Sequence, residues 1–250
     1  MARVLCISSQ TVYGPVGNSA AVPALQAEGH EVMQIPTVIL SNHPGHGKPA
    51  GQSTPAALLE DMFEALNRIK AFDGLNAVMT GYFTSAAQVI AAAKQITALK
   101  AVNESLHVLV DPVIGDRGAL YVPREVAEAI RDHLLSLATI TTPNLFELTW
   151  LTGLNDVADA VRRLHVAETI VTSVQHGPDA LATNLHFGGN VKIHVMTRQA
   201  KVSHGTGDFL SGCYLAQRLM MDTETAFDAA MKRLETAIEK SVGSVVLNLT

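Results

Sequence analysis

Short apolar runs that stop at polar or glycine-rich breaks alternate along this chain with longer Ala/Leu-rich segments, and that rhythm sets the expected fold. "RVLCISS" (3–9) reads as a buried strand with a polar end. "EVMQIPTVI" (31–39), "GLNAVMTGY" (74–82), "HVLVDPVIG" (107–115), "TITTPN" (139–144) and "TIVTSV" (169–174) repeat the type. Helices are expected from Asn18 until Gly29 stops the first, then over 56–71, 84–101, 123–136, 145–151 and 156–166. Residues 180–200 read as a β-rich hairpin, 206–220 and 223–240 as two helices, and "SVVLNL" (244–249) as a short last strand. The stretch 40–55, "LSNHPGHGKPAGQSTP", is too rich in turn residues for a core element and reads as a functional loop. Alternating strands and helices predict a mostly parallel sheet covered on both faces, an α/β/α sandwich. No linker or shift in composition marks a boundary, so residues 1–250 are expected to form one domain.

Composition narrows the function classes. With 48% hydrophobic residues in 250, a large core needs no disulfide support. Cys6 and Cys213 show no metal or CxxC spacing and read as buried structural thiols. Eighteen basic against 23 acidic residues give a net charge of -5 with no basic tract, which argues against nucleic acid as a partner. No apolar run reaches the ~18 residues of a membrane span. The first strand begins almost at Met1 and leaves no room for a signal peptide, so a reducing cytoplasm is the expected location.

Open parallel sheets bind ligands beyond the carboxyl ends of their strands, which makes Ser9, Tyr82, Asp111 and Thr142 a candidate convergent set. The segment "HGTGDFLSG" (204–212) adds more. Gly205 and Gly207 permit close backbone approach, while Thr206 and Asp208 stand where a helix begins. Amides there can hold phosphate, and Asp208 can accept a hydroxyl proton; an ordinary capping turn explains the same residues. The segment is not a Walker A loop, and "GPVGN" is not a dinucleotide fingerprint.

Asp111 and Glu147 suit Mg2+ as hard carboxylate ligands, or else serve as caps and surface ion pairs, while Asp116 solvates its loop. His43 and His46 alone do not make a zinc site. Tyr82 offers a ring face and a hydroxyl to an aromatic substrate. Ser8 and Ser9 form no nucleophile elbow, so a hydrolase triad has no support. Lys201 is a phosphate contact by charge and proximity only, or simply an exposed lysine.

Taken together, Ser8-Ser9 with "VYGPVGNSAA", "PTVILSNHPGHG", "TGY", "VDPVIGDRG", "TPNLFEL" and "HGTGDFLSG" resemble the pyridoxal kinase family of the ribokinase-like superfamily. The resemblance implies a ribokinase-like three-layer sandwich that phosphorylates the 5′-hydroxymethyl group of pyridoxal, and of pyridoxine or pyridoxamine, with ATP and Mg2+. It implies Asp208 as the base and Gly205, Thr206 and Gly207 as the anion hole. It places Ser9, His43 and Tyr82 around the pyridine ring, and Asp111 and Tyr121 before the ATP phosphates. Thr142 and Glu147 join Asp111 at the nucleotide and cation site; Thr172 and Ser173 are weaker nucleotide-side positions. It also implies a homodimer. A hydroxymethylpyrimidine kinase and a non-enzymatic nucleotide- or vitamin-binding regulator are the alternatives.

Overall fold

The computed structural model describes residues 1–199 and 202–249. Nine strands form one sheet in which the central six run parallel, in the order β2 (Glu31–Asn42), β1 (Arg3–Tyr13), β4 (Leu75–Thr80), β5 (His107–Val110), β8 (Ile140–Thr141), β9 (Glu168–Gln175). Antiparallel strands extend both ends. β3 (Gly51–Ser53) pairs outside β2, while β10 (Ala180–Phe187) and β11 (Asn190–Thr197) follow β9. A small separate hairpin joins β6 (Gly115–Asp116) to β7 (Ala119–Leu120).

Alternate residues of each parallel strand feed two cores. Val4 and Cys6 face a layer made by α1 (Asn18–Ala27), α7 (Thr206–Arg218) and α8 (Thr223–Lys240), with Tyr214, Phe209 and Phe227 fully buried in it. Leu5 and Ile7 face α2 (Ala56–Arg68), α3 (Ala86–Val102) and α4 (Arg124–Ala129). α5 (Leu145–Thr152) and α6 (Val157–Leu164) cover β9 through Leu148, Ala160 and Val171. The expected α/β/α sandwich is the observed one, and both cysteines are buried and free.

Several boundaries differ from expectation. β1 continues through Gln10 to Tyr13 and β2 to Asn42, because the two strands keep pairing past a register shift at Ser8/Gln10. The 40–55 stretch thus contains the end of β2, one 3-10 turn (Pro44–His46) and β3. β4 stops at Thr80 instead of Tyr82, and β5 stops at Val110, where Pro112 cannot donate to a ladder. The helix expected over 123–136 is α-helical only to Ala129; it widens to a π turn over Ile130–Leu134 and ends in a 3-10 turn. "SVVLNL" forms no strand: Val246 makes a single bridge to His204, and Leu247 is buried beside α8.

Candidate active site

The carboxyl ends of β1, β4, β5 and β8 meet the amino end of α7 on one edge of the sheet. α7 opens at Gly205, whose left-handed backbone (φ 93°) lies against the Pro15 carbonyl so closely that a Cβ would collide with it. Gly205 has no side chain with which to cap the first turn. The leading amides and the positive end of the helix remain available to an anion. Asp208, in that first turn, accepts hydrogen bonds from its own amide and from Gly17. Gly17, also left-handed (φ 56°), packs onto Ser9 without room for a side chain, which ties the end of β1 to the acid. Gly81 lies against Ser8 on the same side, and a Cβ there would sit 3.9 Å from Asp208 Oδ1.

Asp111 follows β5 and is buried. The Ser211 hydroxyl, one turn beyond Asp208, lies 3.0 Å from Asp111 Oδ2 and 2.9 Å from Thr142 Oγ1. With one proton to give, it donates to one of these two oxygens at a time. Burial first, and then the charge of Asp208, raise the Asp111 pKa; burial raises that of Asp208 against the pull of the Gly17 amide. Two neighbouring carboxylates that resist ionisation fit a site that receives a cation. No group of three or more His, Cys, Asp or Glu residues among those described could cage a metal alone. The buried Asp111 carboxylate is a hard oxygen donor of the kind Mg2+ takes alongside water and phosphate oxygens.

Glu147 is held as a clamp. Its Oε2 accepts the Asn144 amide (2.9 Å) while Asn144 Oδ1 accepts the Glu147 amide (2.9 Å), a reciprocal cap on α5. Oε1 takes the amides of Ile114 (3.0 Å) and Gly115 (3.3 Å), anchoring the segment that leads from Asp111 into β6. Burial and then Asp111 keep its pKa well above the usual range despite these bonds. Tyr121, at the end of the hairpin, is 53% exposed, yet its phenol is pushed up by burial and then by Glu147, Asp111, Asp208 and Asp116. The start of the hairpin is tied to Glu147 and Asn144.

Ser9, Tyr82, Asp111, Thr142 and Asp208 share this edge. The Tyr82 amide donates to Ser8 Oγ (3.0 Å), and burial raises the pKa of the half-buried phenol. Thr172 lies beside Asn144 through a bridge, its amide donating to the Pro143 carbonyl (3.0 Å); Ser173 next to it is exposed and left-handed (φ 60°). His43 stands at the tip of β2, its ring centroid 4.1 Å from that of His204. Lys201 lies outside the described residues.

Sequence reasoning missed three contributors: Ser211, Gly17 and His204. Ser211 had a readable signal, since a residue three past Asp208 on a helix shares its face. Gly17 had none, because its amide reaches the acid only through the fold.

A strand-edge site with an acid at an uncapped helix start is the layout of the ribokinase-like phosphotransferases. The phosphomethylpyrimidine kinase family model matches residues 14–246. A pyridoxine/pyridoxal/pyridoxamine kinase from Bordetella pertussis is 37% identical over 254 aligned residues, covering 95% of this chain and 89% of its own. The crystal structure of pyridoxal kinase from Entamoeba histolytica superimposes with a TM-score of 0.92 at 26% identity, over 100% of this chain and 93% of that one. Pyridoxal kinase from Leishmania donovani in complex with ADP and pyridoxamine gives 0.90 at 29% identity, over 100% and 91%. The chain belongs to the pyridoxal/pyridoxine/pyridoxamine kinase family of the ribokinase-like superfamily.

Proposed function

We propose that this chain transfers the γ-phosphoryl group of ATP to the 5′-hydroxymethyl oxygen of a B6 vitamer: pyridoxal, with pyridoxine and pyridoxamine as further acceptors. The observation that carries the reading is Asp208 beside the uncapped amides of α7, on one edge with Asp111. The acceptor hydroxyl gives its proton to Asp208 as its oxygen forms the bond to phosphorus; the bond to the β-phosphate oxygen breaks, and ADP leaves. Negative charge on the moving group faces the amides of Gly205, Thr206 and Gly207 and the positive end of α7.

Ser9, His43 and Tyr82 would surround the pyridine ring. Asp111 and Thr142 would hold Mg2+ through water and phosphate oxygens, with Glu147 completing the anionic surroundings and fixing the strap that begins at Asp111. That ion would supply charge neutralisation on the phosphates. Tyr121, Thr172 and Ser173 would meet the nucleotide. The ADP and pyridoxamine carried by the Leishmania relative support both halves of this assignment. A single domain, a homodimer and a cytoplasmic location complete the proposal; among the described residues no helix is long and apolar enough to cross a membrane.

The matched family description favours a second reading, a hydroxymethylpyrimidine acceptor on the same machinery. Purified protein with ATP and Mg2+ should phosphorylate pyridoxal, pyridoxine or pyridoxamine faster than hydroxymethylpyrimidine. Turnover of the pyrimidine alone would move the assignment to the second reading, and vitamer binding without any turnover would defeat both.

A further inference from the structure

The loop after β2 reaches the start of α7 through three imidazoles. β1 and β2 stay paired to their tips, where Tyr13 stands opposite Asn42 and its carbonyl accepts the His43 amide at 3.2 Å. The chain then makes one 3-10 turn, Pro44–His46, with no buried residue to anchor it. Its anchor is instead aromatic. His43 stacks on His204 with centroids 4.1 Å apart and planes tilted by 36°. His46 stands nearly perpendicular to both, 6.2 Å from His43 and 6.1 Å from His204, and Tyr13 meets its edge at 5.2 Å. His204 Nε2 packs against Gly45 so tightly that a Cβ there would collide with it. His43 Nδ1 accepts the Gly45 amide at 3.1 Å, so the neutral ring carries its proton on Nε2 and offers a donor from that side.

We propose that His204 is a positioning residue of the acceptor pocket: stacked on His43 and enclosed by His46, it holds the 43–47 loop against the start of α7 and fixes His43 beside the heteroaromatic acceptor. This inference rests on the kinase reading above. His204 directly precedes Gly205, so the ring that anchors the loop and the helix start proposed to face phosphate are adjacent in one continuous piece of chain. The stack also needs uncharged rings. Burial first, then the charges of His204 and His46, push the His43 pKa down to about 4, so adding protons to the cluster works against its closure. The titratable groups of the surrounding elements are His43 and His46 on the loop, Tyr13 on β1 and Asp208 on α7, with Lys48 following on the loop.

Wild type, His204→Ala and His204→Phe are compared for kcat and KM with pyridoxal at pH 7.5, with folding checked by near-ultraviolet circular dichroism. Loss of one aromatic stack should raise the KM of His204→Ala about threefold to tenfold, the loss falling on KM rather than kcat. Phe keeps a ring that can stack, so it should restore most of the KM. An unchanged KM in His204→Ala, or a failure of Phe to rescue, overturns the inference while leaving the kinase reading intact. If His204→Ala does not fold, His204→Leu, which fills the space without a ring, takes its place, and a wild-type KM in that variant overturns the inference. Absence of vitamer turnover in wild type instead removes the reading beneath it.

Discussion

A carboxylate takes a proton from an alcohol efficiently only when its environment makes it more basic than a free aspartate, and Asp208 meets that condition. Burial raises its pKa to about 6, while the Gly17 amide holds its orientation. The acid must be ionised to act, so kcat should fall as pH drops through about 6. Asp208→Asn should lower kcat by about 10² to 10⁴-fold with pyridoxal binding largely retained; full activity in that variant would remove the base. The same substitution should stabilise the fold. A carboxyl whose pKa is raised on folding contributes stability that is complete below its unfolded value near 4 and is lost as pH rises through the folded value. Thermal melts should therefore show Asp208→Asn gaining most over wild type at pH 8 and little at pH 4. The acid itself was legible in "HGTGD". The residues around it were less so, because Ser211 meets Asp111 and Thr142, and Gly17 meets Asp208, only once α7 lies against the strand ends.

At the scale of elements, the sheet was legible because strands buried on both faces read as continuous apolar runs. Their ends were not. The tips of β1 and β2 carry the polar Gln10, Thr11, Ser41 and Asn42, and they extend the ladder because the two tips pair with each other. The first half of the 123–136 helix was foreseen, but nothing in its apolar spacing announces the wider turn at Ile130. Likewise "SVVLNL" has strand composition but finds the sheet already ended by β3 and β11. The start of α7 offers the sharpest test at this scale. Gly205→Ala would force a Cβ into the Pro15 carbonyl at a left-handed position, at a cost of about 1–3 kcal/mol. A lowered melting temperature together with a reduced kcat is expected; an unchanged melt would show that the helix start can move away from Pro15.

One continuous nine-stranded sheet with a core on each face favours cooperative unfolding of the whole molecule. Trp150, the only tryptophan, sits in α5 with Arg124 and Arg131 each 5.8 Å from its ring, on the side opposite α7. Urea unfolding followed by its fluorescence and by far-ultraviolet circular dichroism should give one common midpoint. Two separated midpoints would divide the chain and defeat the single-domain proposal.

The parallel order of the strands also has a consequence for synthesis. Ser9, Tyr82, Asp111, Thr142 and Asp208 are delivered to one edge by successive returns of the chain, and the last to arrive carries the proposed proton acceptor and the amides proposed to face phosphate. A nascent polypeptide on the ribosome can assemble most of the sheet while still lacking chemistry altogether. Turnover has to wait for α7, so a product that stops short of it has most of the sheet but lacks Asp208.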